Sequence, residues 1–371
     1  MAIDQHGDAV LEGVSIRSLP KVSLHDHLDG ALRPETIIEL AGEAGIEVPE
    51  EDPDDLADWF AEKSDSGSLV EYLKTFDLTT SVMQSREALT RVAREFVEDL
   101  AADGVIYGEV RWAPEQHLQG ALTLDEAVEA VQEGIEEGED AAAADGVDIR
   151  VGQLITAMRH TDRSPEIAKL AVRWRTRGAV GFDIAGPEDG FPPSRHRKAF
   201  DYLAAKFFPT TVHAGEAAGL DSIRSALIDG RALRLGHGVR LAEDLEIVSR
   251  EGEEVFVQFG DLARWVRDRE IPLELSPSSN LQTGAIARWG ETMEDHPFDL
   301  LYQLGFAVTV NVDNRTMSAT SLTRELALLA STFDYTLDDL EEFQLNAAAG
   351  AFLPVEEREE LIELIGEGFA Q

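Results

Sequence analysis

The stretch Ser23-Leu24-His25-Asp26-His27-Leu28-Asp29-Gly30 reads as the end of a β-strand. Val22 and Leu24 alternate with polar neighbours, and side chains two apart on an extended chain leave from the same face. His25 and His27 therefore project together, which lets two imidazoles point at one ion. An isolated pair of this kind is equally compatible with a solvated strand end, so its meaning depends on what the rest of the chain brings to it.

Seven further β-rich runs follow, at 105–111, 149–157, 180–184, 210–213, 233–236, 273–275 and 308–312. Gly or Pro turns open them, and acidic amphipathic stretches with helical spacing separate most of them, at 124–144, 166–177, 195–206, 221–228 and 244–250. Eight β/α units predict an α/β fold, a (β/α)8 TIM barrel. The rival doubly wound sheet lacks its Gly-x-Gly-x-x-Gly turn and any clear linker. After the first run the helical signal is unusually long. Pro34 sits at a first turn ahead of an Ile37, Ile38, Leu40, Ala41 stripe, and further helices are expected at 56–63, 68–75 and 87–102. Residues 34–104 are thus read as extra helices inserted after strand 1, on the catalytic side of a barrel, with Phe76 and Leu78 as candidates for a lid. Closing helices are expected at 323–331, 337–349 and 354–368, and residues 1–371 are read as one domain.

Composition narrows the chemistry. The chain has 371 residues, 43% of them hydrophobic, enough for a large core. It has no cysteine, which removes disulfides, thiolate nucleophiles and sulfur-ligated metals together. A metal here must be held by His, Asp or Glu. Lys and Arg number 32 against 72 Asp and Glu, a formal charge of −40. That field disfavours nucleic acid and anionic membrane surfaces as partners, and suits either a salty interior or an ordinary acidic enzyme. No leader pattern or long apolar run is present, so a cytoplasmic location is the expectation.

Barrel sites are built from strand ends and the loops after them. The fifth run ends His213-Ala214-Gly215-Glu216, the sixth Gly236-His237-Gly238 and the eighth Asn311-Val312-Asp313-Asn314. His237 alone is compatible with a packed core histidine, and Asp313-Asn314 alone with a turn or helix cap. Jointly, four strands deliver metal-compatible side chains to one face. Ser276-Pro277-Ser278-Ser279-Asn280, after the seventh run, reads foremost as a Pro-fixed turn shaping the mouth and second as a site-facing loop. His6, His117, His160, His196 and His296 are read as surface or supporting residues.

These motifs, with Asp183-Ile184-Ala185-Gly186, occur in an order that resembles the adenosine deaminase family of metal-dependent hydrolases over nearly the whole chain. The resemblance implies that His25, His27, His213 and Asp313 hold one catalytic Zn2+, that Glu216 donates a proton to the purine, and that His237 orients and deprotonates the attacking water. Zinc lowers the pKa of bound water from about 15.7 to roughly 7, and Glu216 must start protonated, hence buried. The cytidine-type deaminases use a cysteine-containing zinc signature that this chain cannot make. By the same resemblance Asp29 and the far edge of His27 meet the ribose, and the Gly186 N–H meets a ring nitrogen. Asn314 stands where many members have a second aspartate, and its amide can donate to N7 without taking up a proton. The implied reaction is hydrolysis of adenosine, and of 2′-deoxyadenosine, to inosine products and ammonia in purine salvage. The alternatives are an adenine deaminase, a deaminase of a modified adenine nucleoside, and a non-catalytic nucleoside-binding relative. The oligomeric state is left open.

Overall fold

The computed structural model describes residues 9–251 and 254–370; His6 lies outside them. Eight parallel strands carry the fold: β1 (Lys21–His27), β2 (Val105–Trp112), β3 (Arg150–Met158), β4 (Ala179–Ala185), β5 (Thr211–Ala214), β6 (Arg234–His237), β7 (Leu273–Leu275) and β8 (Val308–Val310). They pair in chain order as two four-stranded halves, β1 to β4 and β5 to β8. Parallel bridges join the halves at both seams, Phe182 to Thr210 and Asp26 to Asp313. At the second seam the His27 N–H donates to the Asp313 carbonyl at 2.8 Å and the Asp313 N–H donates to the His25 carbonyl at 2.9 Å. The expected (β/α)8 barrel is therefore closed, and the closing bonds run through the metal-ligand candidates themselves.

Alternation sets the direction of each side chain. In β1, Val22 and Leu24 turn outward into an apolar cluster with Ala347, Leu361 and Ile365 of the helices Leu337–Gly350 and Val355–Phe369. His25 and His27 are left to face the barrel interior. The insertion after β1 forms α1 (Pro34–Ala44), α2 (Pro53–Ser64), α3 (Leu69–Tyr72), α4 (Phe76–Val82) and α5 (Arg86–Ala102). Its helices start where the sequence supplies caps: Pro34 in the first turn of α1, the Asp52 carboxylate accepting from the N–H groups of Asp54 and Asp55, and Ser85 accepting from Ala88.

Two expectations are corrected. Residues 244–250 do not form a helix; Leu245–Glu251 pairs antiparallel with Glu254–Phe259 as a hairpin outside the barrel. Leu245 pairs with Phe259 and Ile247 with Val257, so the period of the apolar residues is two, and β-branched Ile247 and Val248 favour extended backbone. Nor is 276–280 simply a turn, because Pro277–Gln282 is a short helix with Pro277 in its first turn and Ser279 and Asn280 facing inward.

Candidate metal centre and active site

β1, β5, β6 and the segment after β8 bring five donors together at the C-terminal mouth. His25, His213, His237 and Asp313 each offer a ligand atom within 4.8 Å of one another, all buried. His27 joins them, its Nε2 lying 3.2 Å from His213 Nε2 and 3.3 Å from Asp313 Oδ1. The donor chemistry fits a cation. His25 Nδ1 lies 3.0 Å from the Glu274 carboxylate and His213 Nδ1 lies 2.7 Å from that of Asp183. A carboxylate only accepts, so each Nδ1 carries the hydrogen and each Nε2 presents a bare lone pair. His25 Nε2 then faces Asp313 Oδ1 at 3.2 Å with no hydrogen-bond partner. Lone pairs facing lone pairs in a buried site repel unless a positive ion lies between them.

Electrostatics point the same way. Burial pushes Asp313 up, but the surrounding histidines, His25 first, hold it well below the usual carboxylate range. Burial holds His27 and His237 well below the usual imidazole range and lowers His213. Neutral imidazoles around an ionised carboxylate are the protonation states that metal ligation requires.

Glu216 stands apart from this set. Burial, with Asp313 and Glu188 adding to it, pushes its carboxyl well above the usual range. Its Oε1 has no hydrogen-bond partner, and Oε2 is 3.5 Å from His237 Nε2. The loop carrying it is held by one side chain the sequence reading passed over. Glu188, three residues beyond β4, accepts from the backbone N–H groups of Gly215 at 2.7 Å, Glu216 at 3.1 Å, Ala217 at 2.7 Å and Ala218 at 2.8 Å. Four donors on one buried carboxylate leave this loop little freedom. Backbone strain gathers here too: His237 and Asp313 both have φ of +61°, a left-handed conformation that costs non-glycine residues about 1–3 kcal/mol.

A cavity of about 310 Å³ opens onto the cluster, and His27, Asp29, Gly186, Glu216, His237 and Asn314 all line it. Asp29 is buried, its carboxyl pushed up by that burial to about 7, 3.9 Å from His27 Nδ1. Gly186 has φ of +101°, which glycine tolerates without strain. Gly30 is required by Asn314, whose carboxamide would overlap any Cβ at that position. From the insertion Phe76 reaches the cavity while Leu78 packs on the core. Ser279, read as part of a turn, donates to Asp313 Oδ2 at 2.6 Å. Of the remaining histidines, His160 is exposed at the cavity mouth. His117, His196 and His296 are buried and hydrogen-bonded rather than at the surface. The missed Glu274 had a legible signal, a charge between Leu273 and Leu275 in the middle of an apolar strand.

Fold and donor set define the class: a (β/α)8 barrel whose mouth gathers histidines and one aspartate into a cluster able to hold a metal ion. A family model described as adenosine deaminase matches residues 20–367. Adenosine deaminase 1 of Streptomyces coelicolor is 56% identical over 358 residues, 96% of this chain and 88% of that protein. An adenosine deaminase of Mycobacteroides abscessus is 52% identical over 98% of each chain. Among solved structures, the Arabidopsis N6-mAMP deaminase superposes with a TM-score of 0.78 at 27% identity, covering 95% of this chain and 99% of that one. The chain belongs to the adenosine deaminase family. Among the described residues no helix is long and apolar enough to cross a membrane.

Proposed function

We propose that this chain is a zinc-dependent adenosine deaminase, hydrolysing adenosine and 2′-deoxyadenosine to inosine, or deoxyinosine, and ammonia. The observation that carries the reading is Glu216, a carboxyl that lines the cavity beside the donor cluster and whose burial pushes it well above the usual carboxylate range, towards its protonated form. Addition of water at C6 of a purine breaks the ring's aromaticity, and N1 must take a proton as it does so. Glu216 supplies that proton from its carboxyl O–H. His25, His27, His213 and Asp313 would hold the ion, a donor set of the type that catalytic zinc sites use. When bound, zinc supplies a Lewis acid that makes water a nucleophile at neutral pH. The Glu216 loop excludes misplacement of the acid, and Ser279 fixes the Asp313 carboxylate by its second oxygen.

The cavity favours a neutral sugar. No Lys or Arg lines it among the described residues, and Asp29 and Asp77 stand within it. A 5′-phosphate would meet the acidic side chains of Asp29 and Asp77 and no countercharge, which supports a nucleoside over a nucleotide. In this reading Asp29 and His27, which line the cavity, meet the ribose hydroxyls, and Asn314 donates to N7. The cavity tapers the choice against free adenine as well, since adenine leaves Asp29 without a partner.

A panel of adenosine, deoxyadenosine, adenine, AMP and N6-methyladenosine tests the reading, with ammonia release as the readout. Adenosine and deoxyadenosine are expected to lead, and Asp29→Ala to impair them far more than adenine. Faster turnover of adenine or of AMP would replace this assignment.

A further inference from the structure

A chain of hydrogen bonds enters His237 from behind. It begins at the helix Phe298–Gln303, where the Phe298 backbone N–H donates to His296 Nδ1 at 3.0 Å. A backbone amide only donates, so that Nδ1 is bare and the neutral ring carries its hydrogen on Nε2. Nε2 of His296 lies 3.3 Å from Asn280 Oδ1, which accepts. With its oxygen engaged, the Asn280 carboxamide is oriented, and its NH2 faces His237 Nδ1 at 3.0 Å. The NH2 also only donates, so Nδ1 of His237 is bare and the ring hydrogen sits on Nε2. His296, Asn280, His237 and Phe298 are each at most 3% exposed, so bulk water does not compete for these bonds.

We propose that Asn280 and His296 are positioning residues that lock His237 in the Nε2–H tautomer, so that His237 meets the reacting oxygen as a hydrogen-bond donor. The inference rests on the deaminase reading of this site. It separates five donors into four and one. His25 and His213 have a carboxylate behind Nδ1 and present bare Nε2 atoms, as ligands do. His237 has an amide behind Nδ1 and presents a hydrogen, which cannot ligate a cation. The ion therefore falls to His25, His27, His213 and Asp313.

Proton-detected nitrogen NMR on protein labelled at its histidines reads the tautomer directly, both as purified with its metal and after chelation, with His237 assigned by its loss in His237→Gln. Protonated Nε2 and bare Nδ1 are expected in both forms. A hydrogen on Nδ1, alone or with one on Nε2, overturns the proposal. Asn280→Asp keeps the shape but turns the donor into an acceptor. It should move the His237 hydrogen to Nδ1 and lower kcat about 10–100-fold, with KM changed by less than about threefold. An unmoved hydrogen or an unchanged kcat counts against the lock. His296→Phe frees the Asn280 amide to rotate and should yield two His237 populations; a single unchanged one removes His296 from the chain. Metal analysis adds an independent check, since His27→Ala should lose the ion and His237→Ala retain it, and the reverse pattern overturns the division. The NMR and metal results need no turnover, so inactivity towards adenosine would unseat the proposed function without touching the tautomer.

Discussion

Two layers of polar side chains fill the barrel, and they are satisfied in opposite ways. In the lower one, Arg111 lies 2.9 Å from Asp183 and 2.7 Å from Glu274, while Arg234 lies 2.6 Å from Glu274 and 2.5 Å from Glu109. All are buried, and each charge there meets an opposite one. In the upper layer, the bare His25 Nε2 faces the Asp313 carboxylate, two imidazole nitrogens of His27 and His213 approach to 3.2 Å, and Glu216 keeps an oxygen unpaired. Buried polar groups in a folded protein are nearly always paired. The lower layer balances its charges within the chain, though Arg111 Nε lacks an acceptor, and serves as support; the upper one leaves His25 Nε2 against the Asp313 carboxylate with no hydrogen-bond partner. Glu274 and Asp183 connect them, each binding an arginine below and the Nδ1 of a histidine above.

Variants in the two layers should fail differently. Glu216→Gln removes the only proton donor proposed and should lower kcat by about 10²–10⁴-fold, with metal content and melting temperature retained. In the wild type, kcat/KM should hold on the acid side of the raised Glu216 pKa and fall as pH rises through it, since the carboxyl must be protonated to act. A loss below tenfold in the variant would remove Glu216 from the acid role. Arg111→Met, in the lower layer, leaves Glu274 and Asp183 buried without their shared cation. Urea unfolding should show a loss of about 3–5 kcal/mol, whether or not metal is added. A loss under about 1 kcal/mol would erase the distinction between the layers.

His117 offers a comparison outside both layers, an imidazole buried against the Met83 carbonyl with no ion to receive. Burial lowers it from 6.5 to about 4. The unfolded chain takes up that proton first, so the stability is present above pH 6.5 and is lost as pH falls from 6.5 towards 4, by about 3 kcal/mol. His117→Gln should flatten this part of the stability profile; an unchanged slope would place the titration elsewhere. The smallest effect is expected at Glu188→Gln. Its single acceptor oxygen cannot satisfy four N–H groups, and kcat should fall about 10–100-fold with KM nearly constant. A change confined to KM would mean that the loop serves binding rather than placement of Glu216.

Much of this arrangement could be read along the chain, for a simple reason. Strand runs are short and bounded by Gly and Pro, and a barrel puts its site at strand ends, so His213, His237 and Asp313 could be located without knowing any contact. Residues 244–250 mix acidic and apolar residues in a pattern that also fits a helix, and only pairing with Glu254–Phe259 exposes the period of two. His196 and His296 look like isolated surface histidines in sequence, yet partners 32 and 16 residues away hold them in the interior. Glu188 carries no local signal at all, because its four partners lie 27 to 30 residues downstream.

The sequence by itself determined the fold class, the family and the donor types, since each follows from local periodicity or from motif order. The tertiary structure decided how those donors are used. A lone pair or a hydrogen on a histidine depends on what stands behind the ring: Glu274 behind His25, Asp183 behind His213 and Asn280 behind His237. Those neighbours come from other strands and loops, and no spacing along one strand encodes them. His25-Asp26-His27 thus pointed to a metal site only together with the motifs that follow it along the chain, while the group that stands behind each imidazole was set by packing across the barrel.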